Sequence, residues 1–123
     1  MDENLANEYL DKMEKADNPG AVLASFYAKL FDFPFDSRMI PLFARSVKLY
    51  GRFIVFMSLV DMYEIPNLDH QKIFALINYL CKKRLMAGSS TAVSNMKDEI
   101  REHEQKIKEL KKMKLEIRNP FYE

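Results

Sequence analysis

The sequence predicts an all-α fold: a small orthogonal bundle of four helices in residues 1–88, then a long coiled-coil-like helix in residues 91–121. Three observations carry this. Gly occurs three times and Pro five times in 123 residues, whereas a sandwich or barrel needs a turn about every eight to twelve residues. Apolar residues recur at intervals of three and four along most of the chain, the period of one helix face. Beyond residue 91 the apolar residues thin to a single seam among charges, the pattern of a helix that pairs along one edge.

The first element is "DENLANEYLDKMEKADNPG", in which Leu5, Tyr9, Met13 and Ala16 share a face. Asp2 and Glu3 suit the positive end of its dipole, Asn18-Pro19-Gly20 stops it, and Pro19 is placed to open the next helix. In "GAVLASFYAKLFDFP" the residues Val22, Leu23, Phe26, Tyr27 and Leu30 form the buried stripe. "FDFPFD" then breaks the helix, its three Phe residues predicted to plug the core edge. The segment "DSRMIPLFARSVKLYG" takes Asp36 or Ser37 as cap and Ile40, Phe43, Val47 and Tyr50 as its inner face. Pro41 falls in its first turn, where a missing N–H costs least, and Gly51 ends it.

"FIVFMSLVDMYE" is apolar nearly all round. It is too short for a membrane span, which needs about 20 apolar residues, and is interrupted by Ser58, Asp61 and Glu64. A strand there would have no partner, and unpaired buried backbone is untenable. Residues 52–64 are therefore predicted as the central helix, surrounded by others, with Pro66 ending it. "NLDHQKIFALINYLCKKRLMAG" restarts at Asn67 or Asp69, with Ile73, Leu76, Ile77, Leu80 and Leu85 facing inward. Gly88-Ser89-Ser90-Thr91 is a linker.

In the last segment Val93, Met96, Ile100, His103, Ile107, Leu110, Lys114, Ile117 and Phe121 alternate by three and four, a heptad seam. So narrow a stripe needs a partner. A parallel dimer would set Glu99 against Glu104 and Lys106 against Lys111. An antiparallel pair centred between Lys108 and Glu109 sets Ile107 against Leu110, Ile100 against Ile117, Met96 against Phe121 and His103 against Lys114, with Glu104 meeting Lys111. A homodimer with antiparallel tails is the favoured expectation; the competing one is that the helix folds back on its own globular part.

Net charge is +1, but residues 1–36 carry three basic and eight acidic side chains, and residues 37–90 eight basic and three acidic. Cys81 is alone, so no intramolecular disulfide forms, and a half-buried thiol in a reducing compartment is expected. The acidic start "MDENLANEYLDK" has no apolar core of a signal peptide, so a cytoplasmic location is expected and no membrane partner.

No Ser–His–Asp or Cys–His pair, glycine-rich phosphate loop or HExxH motif occurs, and the chain is read as a non-enzyme without cofactor. Glu99 and His103 have the i, i+4 spacing that can hold a metal, but two ligands without a third make a seam residue the simpler reading, and no metal site is expected. Cations fare better. Arg38, Arg45 and Arg52 are seven apart, with Lys48 beside them, and Lys82, Lys83 and Arg84 form a second cluster. Long cations on an outer helical face can neutralise phosphates without reading bases.

Residues 22–85 resemble the helical modules of DnaD-like replication-initiation proteins and phage replisome organisers. The resemblance lies in "FYAKLFDFPFDSRMIPLF", "VKLYG" and "IFALINYLCKKR": an aromatic-rich helix, a helix ending in Tyr-Gly, and a last helix ending in basic residues. Phe74, Asn78 and Lys82 stand near the three positions of that family's Tyr-x-x-x-Ile-x-x-x-Trp pattern, and no Trp is present. The resemblance implies DNA binding by Lys82, Lys83 and Arg84. The resulting expectation is a small accessory protein of phage or plasmid type that binds DNA or a replication protein through a basic helical surface. The alternative is a protein-only adaptor or inhibitor that engages a host factor through its C-terminal helix.

Overall fold

The computed structural model describes residues 3–89 and 92–118, with side chains up to Leu110 and at Lys112. The described residues form six α-helices: α1 (Glu3–Lys15), α2 (Pro19–Leu30), α3 (Ile40–Tyr50), α4 (Arg52–Met62), α5 (Ile73–Met86) and α6 (Val93–Arg118). Short 3-10 turns at Ser37–Met39 and His70–Lys72 lead into α3 and α5. The fold is all-helical as predicted, but the body ahead of α6 has five helices where four were expected. Asn18-Pro19 divides the first two rods as read from the sequence, Asn18 accepting a hydrogen bond from the Ala21 amide at 3.4 Å and Pro19 opening α2, so the five segments traced ahead of residue 88 each form a helix and the body is not a four-helix bundle.

Caps settle the other boundaries. Asp36 accepts from the Arg38 amide and Asp69 from the Gln71 amide, each at 3.0 Å, fixing the two 3-10 entries. Gly51 lies at φ +91 between α3 and α4, a conformation that a side chain would strain, and the chain turns there without a loop. α2 and α3 cross closely: a Cβ on Gly20 would lie 2.8 Å from the Ile40 carbonyl oxygen.

α4 is the central helix. Ile54 to Val60 and Met62 are buried, and Phe56 stacks on Phe26 with ring centroids 4.6 Å apart. The one hydroxyl in that run, Ser58, donates to the Ile54 carbonyl at 2.8 Å and lies 3.3 Å from the Cys81 sulfur, so it is satisfied inside the core. Burial pushes the Cys81 thiol pKa up, which leaves it a packing residue.

Two expectations about inward-facing residues change. α5 buries Ile73, Ile77, Leu80, Cys81 and Arg84, whereas Leu85 is exposed. The buried positions form one stripe, and Leu85 lies a step around from it. The three Phe residues of "FDFPFD" do not act as one plug. Phe31 and Phe33 close edge-on around His70, which hydrogen-bonds the Tyr27 hydroxyl at 2.7 Å, while Phe35 is exposed.

α6 packs against α1. Met96 and Ile100 are 1% and 0% exposed, and both belong to the core of the body. Lys97 pairs with Asp11 at 3.3 Å and Arg101 with Glu3 at 3.5 Å along the flank. α1 starts at Glu3, so the helix outruns its platform. Ile107 is half-buried and Leu110 is 54% exposed.

Candidate interaction surface

The seven predicted cations divide into two groups. Arg52 donates to the carbonyls of Met13 and Ala16 at 2.7 and 2.8 Å. It thus caps the C-terminal end of α1, where carbonyls lack intrahelical donors. Arg84 is nearly buried and forms a two-point pair with Asp61, both bonds 2.6 Å. It also donates to Glu99 at 2.6 Å and Ser89 at 3.1 Å. Arg38, though exposed, is held by Asp36 at 3.0 Å. The guanidinium groups of Arg52 and Arg84 are therefore engaged within the fold.

Arg45, Lys48, Lys82 and Lys83 are exposed, and packing of α3 on α5 brings Arg45 beside Asn78 of α5. A groove of about 230 Å³ between these helices is lined by residues including Leu42, Arg45, Leu49, Phe74 and Asn78. Lys82 follows Asn78 by one turn on the same helix face, so it flanks this groove. Neither helix contains an acidic residue. Sequence reasoning missed the apolar partners of these cations: Leu49 is 66%, Tyr79 61% and Met86 88% exposed. Their positions off the buried stripe were the available signal.

On the other side of α5 a cleft of about 720 Å³ is lined by Ile65, Leu76, Tyr79 and Lys83, with Asp61, Arg84 and Glu99 also contributing. The polar cluster there joins α4, α5 and α6. His103 Nε2 lies 3.3 Å from Asp61, its Nδ1 contacts Glu64, and Glu99 is 4.0 Å away on its own helix. Burial alone would raise the Asp61 pKa, but hydrogen bonds from His103 and Arg84 outweigh it and hold the carboxyl below its ordinary value. Burial likewise works against the charge of Arg84, and its bonds to Asp61 and Glu99 more than compensate, raising its pKa. Asp61, Glu99 and His103 offer ligand atoms within 4.8 Å of one another. The positive charge among them is supplied by Arg84, which bridges Asp61 and Glu99 directly. The predicted Glu99–His103 pair thus belongs to this cluster. Asp61 and Glu64, three apart after an apolar run, were the trace of it in the sequence, although the helix predicted to residue 64 ends at Met62 and Glu64 lies in the turn beyond it.

Of the predicted seam, Met96, Ile100 and His103 are covered by the chain's own body, Ile107 partly, and Leu110 is open. Phe121 and the side chains of Lys114 and Ile117 lie outside the described residues. Antiparallel pairing in the full register would need Met96 and Ile100 to leave α1.

No helix among the described residues is long and apolar enough to cross a membrane. Comparison with protein-family models, with curated proteins and with solved structures finds no significant match to this chain.

Proposed function

We propose that this chain is a non-enzymatic binding protein whose α3–α5 face docks a partner protein carrying acidic side chains beside apolar ones. The observation that carries the reading is the mixture on that face. Arg45 and Leu49 line the α3–α5 groove and Lys82 flanks it, with exposed Met86 one turn beyond Lys82 and no acid on either helix. Large exposed apolar residues rimmed by charge mark protein contacts, and the cations would select an acidic surface and speed encounter with it. The resemblance of residues 22–85 to DnaD-like modules supports a replication protein as that partner, in a cytoplasmic, phage- or plasmid-type setting. Self-association through α6, while it stays docked, is confined to the seam from Ile107 onward.

A second reading, DNA binding by the same face, is favoured by the absence of acids on α3 and α5, because nothing there repels a phosphate backbone.

One experiment separates the two. An amphipathic acidic helical peptide and a duplex DNA, each labelled, are titrated with the full chain at several salt concentrations. In the protein reading the peptide binds, and both Leu49→Ser/Met86→Ser and Arg45→Glu/Lys82→Glu abolish binding. In the DNA reading the duplex binds, affinity falls steeply with salt, and only the charge reversal matters. Absence of binding to either at low salt overturns both.

A further inference from the structure

We propose that α6 is a releasable arm, held to the body by a proton-bearing clasp of His103, Asp61, Glu64, Glu99 and Arg84, and that loss of that proton lets it go. The inference stands apart from the choice of partner for the α3–α5 face.

The geometry of the imidazole carries the argument. Its two nitrogens each face a carboxylate, Glu64 in the turn after α4 at Nδ1 and Asp61 of α4 at Nε2. A neutral imidazole has one N–H and one lone pair, so it can serve only one of them and would aim its lone pair at the other. Both contacts are satisfied only by the imidazolium. The surrounding charge points the same way. Three carboxylates, Asp61, Glu64 and Glu99, share this site with one guanidinium, Arg84, leaving it at −2 without a proton on His103 and −1 with it. Of the remaining charged groups between α6 and α1, Glu3 pairs with Arg101 and Asp11 with Lys97, away from the imidazole.

The clasp is also where the arm meets the rest of the body in polar terms. The described ion pairs of α6 to α4 and α5 run through His103 and Glu99, whereas its closest helix packing is along α1. The hydrogen bond to Asp61 raises the His103 pKa above 6.5, burial opposes this, and Glu64 adds to the rise. The folded value being the higher one, the proton's contribution to docking is fully present below the free-histidine value. It is lost as pH climbs through the raised one. At the acid end the Asp61 carboxyl, lowered from 3.8, sets the limit. Release would uncover Met96 and Ile100 and join them to Ile107 and Leu110 as one apolar seam, the surface a pairing helix needs.

Amide hydrogen exchange of the full chain between pH 5.5 and 9, corrected for intrinsic rates, tests this, with amides of Ile77 and Leu80 in α5 as internal reference. Protection of residues 96–103 should fall several-fold relative to α5 as pH rises. His103→Gln should hold α6 at the low-protection level across the range. Should that variant fail to fold, Glu64→Gln serves: with one carboxylate fewer, the pH at which protection is lost should move down. The idea is overturned if α6 protection in the parent chain is flat with pH, if α5 falls in parallel, or if both variants keep the parent's pH response.

Discussion

α4 and α6 are held in the fold by different forces. Eight of the eleven residues of α4 are buried, and the helix is wrapped by α1, α2, α3 and α5. α6 has 26 residues, about 39 Å of rod, yet of its described side chains only Met96 and Ile100 are fully enclosed. Beyond partly covered Val93 and Ile107, the rest of its described attachment is largely ionic. A helix surrounded by apolar neighbours forms wherever the core forms, because its burial is the core. A helix seated by two apolar side chains and a set of charges is conditional on those charges, and local opening begins in such weakly seated elements.

The difference can be broken at its strong end first. Phe56→Ala removes a ring with no exposure that stacks on Phe26. It should cost about 3–5 kcal/mol in denaturant unfolding, with every helix lost together. Arg84→Ala leaves Asp61 and Glu99 without their guanidinium. These carboxylates retain some solvent, so the cost should be about 2–3 kcal/mol, short of that for a sealed pair. Its mark is selectivity: hydrogen exchange should rise more in α6 than in α4, and equal rises would refute the conditional seating. The finest contrast lies within α6. Ile100→Ala should cost about 2–4 kcal/mol, whereas Leu110→Ala, at an open site, should stay within about 0.5 kcal/mol. Matching values in thermal or denaturant unfolding would mean that the arm is not seated as described.

Much of the body was readable in the order of residues. The 3-4 spacing of Ile40, Phe43, Val47 and Tyr50 gave the inner face of α3, whose members are buried or packed on the core. The predominantly apolar run from Phe53 to Val60 gave α4. Legibility failed where a residue's role depends on what another segment brings to it. Arg52 and Arg84 are indistinguishable in sequence from Lys48 and Lys82, and only tertiary packing sets them on the Met13 carbonyl and on Asp61. Heptad spacing in α6 gave an apolar edge of which Met96 and Ile100 are buried in the body and Leu110 is exposed, but spacing does not say whether the partner of such an edge is another chain or α1. The candidate surface was half visible: its cations could be found by position, while the groove between Arg45 and Asn78 required α3 and α5 to be placed side by side.

The pairing of α1 with α6 has a consequence for how the polypeptide acquires its shape. Glu3 and Arg101 meet although 98 positions separate them, so α1 receives this neighbour only after α2 to α5 have been made. During synthesis the side of α1 that receives Met96 and Ile100 stays wet, and the interior is completed late. Contacts this distant in sequence slow the search for the native arrangement and lengthen the time for which a greasy flank is open to wrong neighbours. The many acidic side chains of α1 and the ionic flanks at Asp11 and Glu3 would keep that unfinished flank soluble while it waits.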